Sequence, residues 1–349
     1  MQMKGTNKLA TRVGKYTLLL PSRPSIIGHA AVVGKAEGEG PLAKEFDYCY
    51  SDDTIDGCPS FEKAESALQY EAITRAIAKA ELSPKDINLI MAGDLLDQCI
   101  GTSFGIRELA IPFLGLYGAC STMALSMGLA SVLVDSGAVS YAVASTSSHF
   151  ASAERQFRLP LEYGGQRPPS AQRTATASGA SVIAENKGNT PCIEAVTFGK
   201  IMDLGIKDAN NMGAAMAPAA ASTIGDFLND TRTAPTDYDL ILTGDLGKVG
   251  AELLIDLLKK DYGYDISSVH GDCGLMIYAI EAQDVHAGGS GCGCSGSVVN
   301  SYIMRQLKEK ALKRVLFVGT GALLSPTSTM QGESIPSIAH GVLLTSGDE

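Results

Sequence analysis

Two stretches of the chain carry the same succession of loop proline, apolar run and acidic turn. PKDINLIMAGDL (Pro84 to Leu95) and PTDYDLILTGDL (Pro235 to Leu246) agree at 7 of 12 positions and lie 151 residues apart. In each, a continuous apolar run (INLIMAG, YDLILTG) predicts a buried strand, and the Gly-Asp at its end turns the chain. Helical patterns precede both copies. FEKAESALQYEAITRAIAKA (Phe61 to Ala80) has apolar residues at helical spacing, and AAASTIGDFLND (Ala219 to Asp230) is its shorter counterpart.

A second pair of similar segments follows. GACST (Gly118 to Thr122) aligns with CGCSG (Cys292 to Gly296), setting Cys120 on Cys294, 174 residues apart. At the same spacing the strand-like SYAVAST (Ser140 to Thr146) falls on RVLFVGT (Arg314 to Thr320). The difference between the two spacings places an insertion of 23 residues in the second half, where SSVHGDCGLMIY lies. Helix alternating with buried strand indicates an α/β protein built of two duplicated halves. The expected architecture has mostly parallel mixed sheets in layered helix and sheet packing, the halves related by a pseudo-twofold axis. The halves are read as residues 1–188 and 189–349, with surface loops at 38–60 and 149–176. Ligands of such sheets bind beyond the carboxyl ends of the strands, and Cys120 sits at one of these ends.

The 349 residues are 45% hydrophobic with a formal charge of −10, which disfavours nucleic acid and anionic lipid as non-specific partners. Any anionic ligand then needs a local basic pocket. Eight scattered cysteines are expected to be reduced thiols rather than a disulfide framework. The apolar run YTLLL is too short for a signal peptide, and no apolar stretch of about 20 residues is present to span a bilayer. The chain is therefore expected to be soluble or peripherally attached.

Candidate chemistry is concentrated in three places. Cys120 precedes a helix that begins near Ser121, where unpaired amides and the helix dipole would favour a thiolate and hold an oxyanion. The alternative is a small apolar filler at a close helix crossing. The segment from Ser147 to Thr176 carries Arg155, Arg158, Arg167 and Arg173 against Glu154 and Glu162, with His149 at its start. Guanidinium groups grip carboxylates and phosphates, although the same arginines would equally tie a long loop to acidic surface. His270, Asp272 and Cys273, with Cys292 and Cys294, form a weak zinc pattern, and His270 is a candidate base facing Cys120. The glycine-rich Gly288 to Gly291 lacks the lysine or spacing of a nucleotide loop and reads as close packing.

Together these features resemble the thiolase and ketoacyl synthase superfamily, with two fused α/β halves, a cysteine at a buried helix start, and a histidine-bearing segment in the second half. A narrower resemblance rests on AGDLLDQ, GACST, ASTSSH, AERQFRLPLEYGGQRP, NMGAAMAPAAA, DYDLILTGDLGKVG, HGDCGLMIY, AGGSGCGCS and ESIPSIAHGV. These segments are similar to the stage V sporulation protein AD family. That resemblance implies a thiolase-like fold and a component of the SpoVA apparatus that binds dipicolinic acid (pyridine-2,6-dicarboxylate) during its uptake into the developing endospore. It further implies partnership with integral membrane SpoVA proteins, association with the spore inner membrane, a homodimer, and calcium only as the ligand's companion; no other cofactor or metal is expected. The ligand-binding set on this reading is Cys120, Ser121, His149, Arg155, Arg158, Arg167, His270 and Asp272. By the same resemblance Cys120 and His270 take acyl-acceptor and catalytic-histidine positions. The turn AGGSGCGCS, however, offers neither the His-Pro nor the Asn of condensing enzymes, and His340 lies where a glycine loop is expected. Binding without turnover is the first expectation; an acyltransferase using Cys120 on CoA thioesters is the alternative.

Overall fold

The computed structural model describes residues 10–157 and 167–347. The first half runs β1 (Ser25–Val33), α1 (Phe61–Lys79), β2 (Leu89–Gly93), β3 (Phe113–Gly115), α2 (Thr122–Asp135), β4 (Tyr141–Ser148), α3 (Phe150–Phe157) and β5 (Ala177–Ala184). The second half runs β6 (Cys192–Phe198), α4 (Met212–Thr231), β7 (Leu240–Thr243), β8 (His270–Asp272), α5 (Cys292–Val298), β9 (Arg314–Ala322), α6 (Pro326–Met330) and β10 (Ser337–Thr345).

The duplication is explicit in the strand order. Counted outward from the seam, the first half reads β1-β5-β4-β2-β3 and the second β6-β10-β9-β7-β8. Each half pairs its strands with the same polarities: β2 is parallel to β3 and β4, as β7 is to β8 and β9. The last strand of each half, β5 or β10, is inserted antiparallel to both neighbours. Four of five strands per half therefore share one direction. The halves meet where Cys192 pairs antiparallel with Ser25, and the short strand Thr17–Leu19 of the first half pairs antiparallel with Ala195–Thr197 of β6.

Register refines the sequence alignment. Gly93 pairs with Thr146, whereas its equivalent Gly244 sits beside Gly319, so β4 and β9 correspond one residue away from the offset read in the sequence. A left-handed residue immediately precedes the cysteine at both central helix starts, Ala119 (φ 49°) before Cys120 and Gly291 (φ 96°) before Cys292. The structural counterpart of Cys120 is thus Cys292 rather than Cys294.

Helix α2 packs on strands of both halves and α5 mainly on those of the first, while α1 packs on strands of the first half and α4 on strands of the second. All seven residues of α5 are buried. Its glycine and serine content is what lets it lie on β5 by backbone contact: a Cβ at Gly179 would fall 2.0 Å from the Gly296 carbonyl oxygen. Segment 38–60 is more than a surface excursion, because Leu42, Phe46 and Ile55 are buried and Tyr48–Cys49 pairs with β1. The 149–176 segment begins as α3 and returns through Arg173–Thr174, which pairs with Gly289–Ser290 ahead of α5.

Candidate functional site

The carboxyl ends of β2, β4, β7 and β9 surround the two helix starts, and a cavity of about 460 Å³ opens there. Cys120 forms part of its floor, Thr174 and Ser290 one wall, and Phe157 and Leu95 another. Leu324 and Pro326 close the side formed by the segment leading into α6.

Cys120 is carried on a single tight turn (Ala119–Ser121) and is only 5% exposed. Its thiol lies against the carboxyl of Asp245, which arrives from the other half at the end of β7. That carboxyl is fully engaged. Thr320 Oγ1 donates to Asp245 Oδ1 (2.7 Å), while Ser290 Oγ (3.1 Å) and the Gly291 amide (2.8 Å) donate to Oδ2. Burial lifts Asp245 to about 6 against these donors, so it is mostly ionised at neutral pH. Burial first, and the Asp245 charge second, push the Cys120 thiol well above its ordinary value. The expectation that the helix start would yield a thiolate is therefore reversed: Cys120 is a neutral thiol.

A mirror arrangement stands across the pseudo-twofold axis. Cys292 Sγ donates to the Ser147 carbonyl (2.9 Å), and Asp94, the repeat equivalent of Asp245, ends β2 nearby. Asp94 accepts from the Leu96 amide (2.8 Å) and from the Thr102 amide (2.7 Å) and hydroxyl (2.6 Å). Glu65 of α1 lies beside it, accepting from Ser152 Oγ (2.7 Å) and Ser147 Oγ (3.3 Å). Burial raises both carboxyls, and the charge of Asp94 raises Glu65 further, so this pair retains a proton. Both thiols share one apolar cluster with Leu95, Ala153 and Phe157.

Of the ligand-binding set read from the sequence, Cys120 alone is placed in the cavity lining among the described residues. Ser121 turns its hydroxyl back onto the Gly118 carbonyl (2.6 Å). His149 is buried behind α3, its Nε2 2.7 Å from the Asp53 carbonyl and its ring 5.2 Å from that of Phe61. Arg155 points away from the cavity to Glu62 of α1. Arg158 lies outside the described residues. Arg167 is described but does not line the cavity; its Nη1 is buried without a hydrogen-bond partner. His270 belongs to the edge strand β8, not to an inserted turn, with Nε2 3.0 Å from Thr243 Oγ1. Asp272 accepts from Thr243 Oγ1 (2.6 Å) and from the Leu246 (2.8 Å) and Gly247 (3.0 Å) amides, which anchors the helix beginning at Gly247. His340 is buried on β10, where its Nδ1 accepts from the Gly199 amide (3.2 Å). Burial lowers His270 and His340 to about 4, leaving both neutral.

The expected guanidinium cradle is thus not found around Cys120: among the described residues no arginine, lysine or histidine lines the cavity. Its charged groups among the described residues are the acids Asp97 and Glu154. Tyr117 Oη and Gln156 Nε2 each donate to Asp97 Oδ1 (both 3.2 Å). No cluster of three or more His, Cys, Asp or Glu side chains is disposed to hold a metal ion among the described residues. The residue that sequence reasoning missed is Asp245. Its signal was present, because the Gly-Asp of both repeats was read as a turn although it delivers a carboxyl to the facing half.

The sequence profile described as Stage V sporulation protein AD (SpoVAD) matches residues 14–345. The chain belongs to this family. Stage V sporulation protein AD of Bacillus subtilis (strain 168) is 48% identical over 330 residues, covering 95% of this chain and 96% of that protein. Among solved structures, 3-oxoacyl-[acyl-carrier-protein] synthase III from Aquifex aeolicus VF5 superposes with a TM-score of 0.56 at 12% identity, covering 92% of this chain and 99% of that one. Cerulenin-bound OleA from Xanthomonas campestris gives 0.56 at 14% identity, covering 93% and 96%. Family membership therefore comes with a thiolase-like fold, as the duplicated topology requires. Carbon–carbon bond formation on such a fold needs an activated thiolate and donors that polarise the second carbonyl. Here burial, with the Asp245 charge adding to it, raises the thiol, and no titrating cation lines the cavity among the described residues.

Proposed function

We propose that this sporulation protein uses its thiolase-like cavity to bind dipicolinic acid intact, as a component of the uptake of that ligand into the endospore. The observation that carries this reading is the placement of Cys120, buried in the cavity floor with its thiol against the Asp245 carboxyl. A site whose cysteine is raised by burial, with the Asp245 carboxyl adding to it, is suited to recognition and poorly suited to acyl transfer. A flat pyridine ring fits between the apolar surfaces of Leu95 and Phe157 on one side and Leu324 and Pro326 on the other. The acids Asp97 and Glu154 at the cavity favour the calcium chelate over the bare dianion, since calcium takes additional carboxylate oxygens and offsets their repulsion. Calcium on this reading travels with the cargo. Docking on integral membrane members of the same apparatus at the spore inner membrane, and a homodimer, belong to the same proposal.

Isothermal titration of the full chain with dipicolinate, with and without calcium, tests it. The expected result is saturable heat that strengthens with calcium and is abolished by Ala153→Trp, which fills the cavity. No saturable heat under either condition would overturn the reading. Incubation with acetyl-CoA followed by intact-mass measurement serves as the counter-test, with no adduct on Cys120 expected.

A further inference from the structure

The chain carries a formal charge of −10, yet one cavity is lined by four cationic side chains against the two acids Glu45 and Asp47. It has a volume of about 490 Å³ and lies at the seam of the two halves, where β1 and β6 begin, at the opposite ends of the strands from Cys120. Lys44, Lys79, Arg305 and Lys308 line it. Arg305 is fully engaged, with Nε and Nη2 on Glu45 (2.6 and 2.9 Å) and Nη1 on Glu309 (2.9 Å). Lys79 pairs with Asp47. Among the described residues Lys44 and Lys308 have no acidic partner. Thr190, on the loop before β6, adds a buried hydroxyl without a hydrogen-bond partner.

The back wall is the central helix of the second half. A π-helical turn (Val299–Ile303) continues α5 toward Lys308, and the Asn300 carbonyl within it meets His29 Nδ1 at 2.7 Å. Turns of this kind are frequent at functional sites. His29 also faces Lys79, Lys308 and Asp47, and burial, with the two lysines adding to it, lowers its affinity for a proton. With Arg305 and Lys79 offset by their acidic partners, Lys44 and Lys308 leave the cavity a local positive charge and an unused donor in a molecule of net negative charge.

We propose that this cavity is a second binding site, for a phosphate or phosphate monoester held by Lys44 and Lys308 with the Thr190 hydroxyl donating. Lysines act as point charges toward a tetrahedral phosphoryl group, whereas the one guanidinium, the planar fork that matches a carboxylate, is already engaged. The volume exceeds what a bare ion needs, so the organic part of an ester is accommodated. The site is independent of the dipicolinate proposal, because it shares no residue with the Cys120 cavity.

His29 supplies the reporter. In full-length protein isotope-labelled at its five histidines, inorganic phosphate is titrated against sodium chloride of equal ionic strength. The expected result is a saturable shift of the His29 ring resonances and an upward move of its titration midpoint, since an anion nearby favours the charged ring. Lys44→Ala/Lys308→Ala should weaken phosphate binding at least about tenfold, equivalent to roughly 1.4 kcal/mol. Lys85→Ala/Lys313→Ala, with the same change in net charge, should not. Pelleting with phosphatidylglycerol vesicles that is lost in the Lys44/Lys308 variant assigns the site to a lipid headgroup. A phosphate response without pelleting assigns it to a soluble phosphate compound. Equal responses of His29 to phosphate and chloride, or unchanged binding by the double variant, would overturn the proposal and leave the lysines as complements to a helix C-terminus.

Discussion

At the scale of single residues, the behaviour of Cys120 is set from across the molecule. The carboxyl of Asp245 is held by Thr320, Ser290 and Gly291 and faces the thiol, so its charge and the burial act together to keep the proton on sulfur. Removing that charge lowers the thiol pKa, and each unit gained is about a tenfold rise in thiolate at a fixed pH below it. Asp245→Asn should therefore raise the iodoacetamide labelling rate of Cys120 at pH 7.5 by about tenfold or more, read by peptide mass spectrometry. An unchanged rate would remove Asp245 from this role. Buried carboxyls also set the response to pH. Glu37, which accepts from Tyr278 Oη and from the Thr176 amide (3.1 Å), is raised by burial to about 7, and Glu65 is raised as well. The folded chain keeps protons that the unfolded chain has already released, so these groups make stability fall as pH rises through neutrality. The buried histidines, whose folded values are lowered, act in the other direction but only below about pH 6.5, the value they regain on unfolding. The melting temperature should therefore drop between pH 6.5 and 7.5, and Glu65→Gln should flatten that drop.

At the scale of elements, the central helices depend on small residues. Gly179 of β5 and Gly296 of α5 approach so closely that a methyl group at residue 179 would meet a carbonyl oxygen at 2.0 Å. Gly179→Ala should cost about 1–3 kcal/mol of stability, measured as a lower urea midpoint with an unchanged slope. The repeat made β2 and β7 legible in the sequence, because a buried strand reads as an apolar run with a turn at its end. The cysteine-bearing helix starts were legible too, although the correct partner of Cys120 was not. Only backbone conformation pairs it with Cys292, since left-handed Ala119 and Gly291 precede the two cysteines, whereas letter similarity favoured Cys294. The arginine-rich loop shows a second boundary. Composition gave its charge, but direction depends on the neighbour each side chain meets, and Arg155 turns outward to Glu62 of α1.

At the scale of the whole molecule, duplication explains why the site lies where it does. Two strand ends with Gly-Asp turns and two helix starts with cysteines meet about one axis, giving a Cys120–Asp245 contact across the halves and a Cys292 environment beside Asp94 and Glu65. The fold class could be read from alternation alone, but a contact between residues 125 positions apart carries no local signature. The central claim is that the cavity between Leu95, Cys120, Phe157 and Leu324 holds a small aromatic dicarboxylate without reacting with it. A crystal structure of the full chain grown with calcium and dipicolinate tests this most directly. The account predicts a planar ring in that cavity, an unmodified Cys120 sulfur, and calcium near Asp97 and Glu154. Ligand bound elsewhere with this cavity left to water, or a covalent adduct on Cys120, would contradict it.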